Sequence, residues 1–142
     1  MSELTGRCFC GDIAYIVSGA PLHVVHCHCE SCRRATSSPI TTFLIVRRAE
    51  LRYTHGTPSL YASSPGVRRS FCARCGSPIA YESDGRPDQV DLYVCSLNDP
   101  ALAAPTMHVH VEERVPWFDT LDDLPRYART PRDGGPIRHG TG

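Results

Sequence analysis

Short runs of β-branched and aromatic residues recur along the chain, and in residues 13–17 large side chains alternate with small ones. This period of two is typical of strands that bury one face. The runs stand roughly ten residues apart and are divided by Gly and Pro, as in antiparallel all-β domains. They occupy residues 13–17, 41–46, 51–54, 59–61, 67–71, 79–81 and 90–94. We therefore predict an all-β fold of antiparallel sheets.

Helical signals are few and short. One helix is predicted from Glu30 through the pair Arg33 and Arg34. Another is predicted at residues 99–102, where Asp99 can cap the first turn and Pro100 suits its start. The chain of 142 residues is long enough for one domain with its own core, which we place at residues 1–129. Residues 130–142 are rich in Pro and Gly and are predicted to form a flexible tail.

The charge is balanced, with 15 basic and 15 acidic residues, and this balance argues against a nucleic-acid partner. No stretch approaches the roughly twenty apolar residues of a membrane helix, and the N-terminus lacks a signal peptide's apolar run. We therefore predict a cytoplasmic protein without a membrane partner. In a reducing cytosol the eight cysteines are better explained as metal ligands than as disulfides.

Two distant cysteine pairs predict one closed metal site. Cys8 and Cys10 stand one residue apart at a strand end, where both sulfurs can point to one side. Cys72 and Cys75 are followed by Gly76, the form of a zinc knuckle, in which a tight turn presents both thiolates. Four thiolates leave zinc no open position, so we predict a structural zinc held by Cys8, Cys10, Cys72 and Cys75.

The segment HCHCESC then leaves three cysteines, Cys27, Cys29 and Cys32, without a fourth nearby. Three protein ligands and a vacancy are typical of catalytic zinc, so we predict a second, open zinc site here. Cys95 is a candidate fourth ligand, but its apolar surroundings favour a buried cysteine that acts as a small hydrophobic side chain. The prediction is two zinc ions per chain.

The histidines of the same segment complicate the count of ligands. In an extended chain Cys27 and Cys29 face one way, while His26 and His28 face the other. A bend at Cys29 would still let a histidine close the site, so that alternative stays open. Packed imidazole is the plain interpretation; the functional one makes His28 a proton carrier beside the open zinc, with His26 and Glu30 as further candidates.

Five segments together carry a family resemblance. They read GRCFCGDIAY, HCHCESCRRAT, RRSFCARCGSPIAY, VDLYVCSLNDP and MHVHVEERVPWFDTLDDLPRY. In this order and spacing the chain resembles the glutathione-dependent formaldehyde-activating enzyme family, which also includes a centromere-associated protein of animals. The match runs from about Gly6 to Tyr127. One departure is the stretch Thr36 to Pro39, where the family often has Ser-Gly, so the loop beside the open site differs.

The resemblance implies a fold of the β-tent kind and the same two ligand sets, four cysteines and three. It also implies a carbon-sulfur lyase that condenses glutathione with formaldehyde reversibly to S-hydroxymethylglutathione. The expected partner is therefore a small-molecule thiol, glutathione. The alternative is a non-catalytic zinc module whose β surface binds a protein partner.

Other residues have weaker functional interpretations. Arg33, Arg34 and Arg69 are candidates to pair with glutathione's carboxylates, although solvated surface charge is the plainer explanation. Trp117, the only tryptophan, is predicted to pack the C-terminal segment onto the sheet. His108 and His110 are predicted to share one strand face as a packed edge.

Overall fold

The computed structural model describes residues 3–137, and the chain there is mostly β-structure with few short helices, as predicted. The ten strands are β1 (Leu4–Arg7), β2 (Ala14–Val17), β3 (His23–Cys27), β4 (Thr41–Arg47), β5 (Leu51–His55), β6 (Ser59–Ser64), β7 (Val67–Phe71), β8 (Pro78–Ser83), β9 (Gln89–Tyr93) and β10 (Met107–Val109). One α-helix, α1, spans Glu30–Thr36. Short 3-10 turns span Arg48–Glu50, Val94–Ser96, Pro100–Leu102 and Val111–Glu113.

The chain divides by its contacts into two compact units. The first unit comprises residues 3–23 and 44–104, and the second comprises residues 24–43 and 105–137. The boundary of the predicted domain at residue 129 stays a prediction. Of the predicted tail, residues 130–137 include a turn and an isolated bridge from Ile137 to Arg126, and residues 138–142 lie outside the described part.

The first unit contains an antiparallel three-stranded sheet in the order β1-β2-β5. It also contains the run β9-β8-β7-β6 of a second sheet, in which Ser70 pairs with Ala80 and Ala80 with Leu92. Its core is apolar because alternate positions of these strands point inward. The side chains of Tyr15, Val17, Leu44, Val46, Ile79 and Leu92 are all less than 2% exposed.

Gly6 shows how tightly β1 and β2 approach each other. A Cβ at this position would lie 2.3 Å from the ring of Tyr15, so any side chain here would displace that ring. The hydroxyl of Tyr15 lies 2.6 Å from Oγ of Ser96, and this hydrogen bond satisfies a polar group that is otherwise buried. Burial raises the pKa of Tyr15 to about 12.

The second unit contains β10, most of β3 and the start of β4, residues 41–43, while the rest of β4 belongs to the first unit. Helix α1 lies between β3 and β4 along the chain. Strand β10 pairs with β3 in parallel, so that Val109 lies opposite Cys27 and the sheet is mixed. The sequence predicted antiparallel pairing throughout, because alternation reports which face is buried and carries no information on strand direction. No helix among residues 3–137 is long and apolar enough to cross a membrane.

Candidate metal centres

The first centre joins the two distant cysteine pairs. Cys8 and Cys10 follow β1, while Cys72 and Cys75 lie in the turn that follows β7. Gly76 closes that turn with φ of 79°, and its N–H donates to the Cys72 carbonyl at 2.8 Å. One sulfur from each cysteine lies within 4.8 Å of the other three. The structure therefore brings together the four residues that the spacing paired.

The geometry of this group fits zinc. Tetrahedral zinc with bonds of about 2.3 Å to sulfur sets its sulfurs about 3.8 Å apart. The Sγ atoms of Cys8 and Cys10 lie 3.7 Å apart, and those of Cys10 and Cys72 lie 3.8 Å apart. The Ile13 N–H lies 3.3 Å from the Cys8 sulfur, as donors to a bound thiolate do. Four sulfurs complete a tetrahedral set.

Ionisation of Cys75 is favoured by its neighbour. Hydrogen bonds from the hydroxyl and the backbone N–H of Ser77 lower the pKa of the Cys75 thiol to about 5. The hydroxyl lies 3.1 Å from the sulfur. A thiolate is the form that binds metal, so this turn prepares one ligand before the metal arrives.

The second centre lies where β3 passes into α1. Cys27 ends β3, Cys29 is the N-cap of α1, and Cys32 lies in the first turn, where its N–H donates to the Cys29 sulfur at 3.3 Å. The three sulfurs lie within 4.8 Å of one another, and those of Cys27 and Cys32 are 3.8 Å apart. Among residues 3–137, no fourth His, Cys, Asp or Glu joins this group.

The three thiols ionise unequally. Hydrogen bonds from Cys27 and Cys32 lower the pKa of Cys29 to about 2, with a smaller contribution from the charge of His110. The same contacts raise the pKa of Cys27, because Cys29 ionises first and its negative charge holds the neighbouring protons. Cys29 is therefore the first thiolate of the group.

Cys95 lies outside both groups. It stands in the 3-10 turn Val94–Ser96 and its side chain is exposed, so the prediction of a buried cysteine is wrong. Strand β9 ends at Tyr93 and the chain enters the turn, in which Val94 is still buried but Cys95 is exposed.

The histidines of the HCHC segment bind other side chains. Nδ1 of His26 lies 2.7 Å from the hydroxyl of Thr42, and its ring stacks on His108 at 4.9 Å between centroids. Nε2 of His28 lies 2.9 Å from Nδ1 of His108, and both rings are almost completely buried. Neither His26 nor His28 belongs to the cysteine group, so this geometry does not use a histidine to close the centre.

A carboxylate ends this row of imidazoles. Nε2 of His108 lies 3.0 Å and 3.1 Å from the two oxygens of Asp122. Burial lowers the pKa of His108 and lowers that of His28 to about 4, so both rings are neutral near pH 7. Burial alone would raise the pKa of Asp122, but hydrogen bonds from Thr120, the Leu124 N–H and His108 outweigh it and lower the pKa.

The sequence did not identify His108 and Asp122 as one site. It predicted that His108 and His110 share a strand face, but β10 ends at Val109 and His110 has φ of 56°, which turns the chain out of the strand. Trp117 was predicted to pack on the sheet, and that prediction is wrong, because its side chain is 76% exposed. In the sequence, the only signal for the contact between His108 and Asp122 is the acidic stretch that follows Trp117.

The predicted arginines occupy different surroundings. The guanidinium of Arg33 donates to the carbonyls of His28 at 3.3 Å and Glu113 at 2.9 Å. The guanidinium carbon of Arg69, in the first unit, lies 4.9 Å from the ring centre of Tyr81. Arg34 forms an exposed ion pair with Glu30. A role of Arg33 or Arg69 in substrate binding stays a prediction.

These features define a class, an all-β protein with two separate cysteine centres that can each hold a metal ion. A family model described as glutathione-dependent formaldehyde-activating enzyme matches residues 3–113, and the chain belongs to that family. The family resemblance predicted from the cysteine motifs is therefore confirmed.

Two individual proteins are also similar to this chain, one in sequence and one in fold. An uncharacterized lyase of Schizosaccharomyces pombe is 32% identical over 89 residues, which are 61% of this chain and 64% of that protein. The chain thus spans less than two thirds of that relative. A crystal structure of a Rhodobacter sphaeroides protein is similar in fold, with a TM-score of 0.57 and 24% identity, over 66% of this chain and 87% of the other.

Proposed function

We propose that the protein is a zinc-dependent carbon-sulfur lyase of the glutathione-dependent formaldehyde-activating type, acting on a thiol adduct such as S-hydroxymethylglutathione. The observation that carries this proposal is the three-sulfur group of Cys27, Cys29 and Cys32, to which no fourth donor belongs among the described residues. Catalytic zinc is held by three protein ligands and keeps one position for substrate. The name of the yeast relative, a lyase, supports the same class of reaction.

In the proposed reaction a carbon-sulfur bond forms between the glutathione sulfur and the formaldehyde carbon. The thiol gives up its proton and the carbonyl oxygen takes one up, and cleavage of the adduct reverses both steps. Zinc at this centre would supply an open position for a thiolate or polarise the carbonyl oxygen. The chain contributes three sulfurs held close together, one of which, Cys29, has a pKa far below its ordinary value.

The proton-transfer residue stays a prediction, with His28 as the candidate. Its imidazole is 1% exposed and bound to His108, and its Nδ1 has no hydrogen-bond partner within residues 3–137. Glu30 is a weaker candidate, because its carboxylate is bound to Arg34 at the surface. We place the reaction in the cytoplasm, because free cysteine ligands persist in a reducing compartment.

The test is an exchange measurement at equilibrium. Glutathione and ¹³C-formaldehyde form the adduct without an enzyme, so catalysis must appear as faster exchange, measured by NMR exchange spectroscopy. We expect wild-type protein to raise the exchange rate in proportion to its concentration. Cys29→Ala should lose this effect, whereas Cys95→Ala, the matched control at an exposed cysteine outside both centres, should keep it.

The same measurement decides on the alternative function. If zinc-loaded wild-type protein leaves the exchange rate at its uncatalysed value for glutathione and for other small thiols, the lyase proposal fails. The non-catalytic zinc module with a protein partner would then be the better account.

A further inference from the structure

Two buried imidazoles, His28 and His108, and the partly exposed carboxylate of Asp122 form a hydrogen-bonded row that ends between two cysteines of the second centre. We propose that Asp122, acting through His108, fixes one tautomer and one orientation of His28, and that His28 thereby holds the sulfurs of its neighbours Cys27 and Cys29 in place. Asp122 and His108 are positioning residues in this proposal. The proposal rests on the proposed function, because the three sulfurs must bind a metal for their placement to matter.

The direction of the hydrogen bonds follows from the carboxylate. An ionised Asp122 can only accept, so Nε2 of His108, at 3.0 Å and 3.1 Å from its oxygens, carries the proton. The other nitrogen of a neutral His108, Nδ1, then holds a lone pair. It lies 2.9 Å from Nε2 of His28, which must therefore be the donor. Nδ1 of His28 is left without a proton.

The unpaired atom of His28 agrees with this direction. Nδ1 of His28 is buried and has no hydrogen-bond partner among residues 3–137. With the direction above, the unsatisfied group is a lone pair. With the opposite direction it would be a buried N–H, and among backbone groups an orphaned buried N–H is rarer than an under-satisfied acceptor.

His28 is anchored on three sides. Its imidazole binds His108. Its backbone N–H donates to the Val109 carbonyl at 3.1 Å, and its backbone carbonyl accepts from Nε of Arg33 at 3.3 Å. The ring is 1% exposed, so it has little room to turn.

Anchoring His28 places the two sulfurs because His28 lies between Cys27 and Cys29 in the chain. Cys27 ends β3, and the sulfurs of Cys27 and Cys29 lie within 4.8 Å of each other, whereas no ring nitrogen of His28 joins that group. The sulfurs must stay close together to share one metal ion. A fixed His28 keeps them there, since Cys27 and Cys29 cannot separate without moving the buried ring.

Charged side chains surround the hydrogen-bonded row of Asp122, His108 and His28. Arg126 is 5% exposed; its guanidinium donates to Asp119 at 2.9 Å and lies 3.9 Å from an oxygen of Asp122. Hydrogen bonds from Thr120, the Leu124 N–H and His108 outweigh burial and lower the pKa of Asp122, so the carboxyl is ionised. Asp119 offers a matched control: it is also an aspartate bound to Arg126, whereas the carboxylate that lies 3.0 Å from Nε2 of His108 is that of Asp122.

The test compares Asp122→Asn with Asp119→Asn in the full, zinc-loaded protein. The ¹⁵N shifts of the imidazoles report which nitrogen of each ring is protonated, and release of zinc to a competing chelator reports the affinity of each centre. In wild type we expect His28 protonated on Nε2 only. Asp122→Asn can donate to His108 instead of accepting, so it should mix the tautomers and weaken the second centre about 10-fold or more, as losses in a metal's outer shell do.

The controls separate positioning from a general loss of structure. Asp119→Asn should keep the wild-type tautomers and the affinity of the second centre. Asp122→Glu, which retains a carboxylate, should recover the tautomer of His28. The first centre should keep its zinc affinity in all three variants.

Two results would overturn the proposal. The first needs no variant: a wild-type spectrum in which His28 is protonated on Nδ1. The second is a two-metal wild type in which Asp122→Asn changes neither the tautomer nor the affinity of the second centre. The lyase proposal survives both of these results, whereas a wild type that holds a single metal overturns the two proposals together.

Discussion

The two cysteine centres differ in number of sulfurs and in how much chain they join. The first gathers four sulfurs from two turns, and Cys10 meets Cys72 from 62 residues away. The second gathers three sulfurs from Cys27 to Cys32, within one strand end and one helical turn. A ligand that joins distant segments restrains the unfolded chain strongly, whereas a local ligand restrains it little. We therefore propose a structural role for the first centre and a chemical role for the second.

The two units that contain the centres also differ in the polarity of their buried side chains. The core of the first unit is built of apolar side chains such as Leu44 and Ile79. The second unit buries His28, His108 and Arg126. Within residues 3–137, buried polar atoms without a partner lie at Ser70 in the first unit and at His28, His110 and Arg126 in the second. Unpaired buried groups cost stability, and they are tolerated where function requires them.

The largest effect is expected when the first centre is broken. Cys72→Ala removes a ligand that is 1% exposed and opens the four-sulfur set. Because binding energy at a structural zinc is folding energy, of order 10 kcal/mol, the variant should lose cooperative folding of the first unit. Circular dichroism during thermal unfolding, with zinc content, is the measurement. A variant that melts like wild type and keeps both metals would contradict the division of roles.

A smaller effect on stability, with a large effect on function, is expected at the second centre. Cys29→Ala should remain folded, lose one of two zinc ions and lose at least about 100-fold in catalysed exchange, since three-ligand sites depend on each ligand. Zinc analysis and the exchange measurement check this. Cys95→Ala is the control and should match wild type. Loss of the whole fold in Cys29→Ala would mean that the second centre is structural as well.

Lowering the pH should release zinc from the two centres at different pH values. Metal binding displaces thiol protons, so zinc affinity falls as the pH falls. Each centre contains a thiol of raised pKa and one of lowered pKa, Cys27 and Cys29 in the second and Cys10 and Cys75 in the first. The difference therefore comes from the number of sulfurs, which is three in the second centre and four in the first. As the pH is lowered, we expect zinc to leave the second centre at a higher pH than the first. Binding of the released zinc to a chromophoric chelator measures this. Cys29→Ala identifies which phase belongs to which centre, and simultaneous release would count against the comparison.

The smallest effect concerns the arginines beside the second centre. Arg33→Ala leaves the carbonyls of His28 and Glu113 without their donor, and it should lower the free energy of unfolding by about 1–2 kcal/mol. Arg34→Ala removes only an exposed ion pair and should have no measurable effect on stability. Chemical denaturation checks both. A large rise in KM for glutathione in Arg33→Ala, with stability unchanged, would instead support the predicted carboxylate contact.

The strands and both cysteine groups could be predicted from the sequence, because the signals for them are local. Alternation of side chains is local, and the knuckle of Cys72 and Cys75 is complete within five residues through Gly76. The pairing of this knuckle with Cys8 and Cys10 followed from counting ligands, because zinc takes four.

The hydrogen bonds that join Asp122, His108 and His28 could not be predicted from the sequence. It depends on parallel pairing of β10 with β3, which sets His108 beside His26 in register, and no local pattern specifies strand direction. It also depends on the irregular segment that brings Asp122 back to His108, 14 residues later in the sequence. Such contacts are set by tertiary packing.

Zinc K-edge X-ray absorption, with and without glutathione, tests the central claim most directly. A four-sulfur centre and a three-sulfur centre with one lighter ligand should give two zinc ions with an average of about 3.5 sulfurs each. Added glutathione should raise the average to about 4 in wild type and leave it unchanged in Cys29→Ala. A single zinc per chain, or an average that glutathione does not change in wild type, would contradict the account.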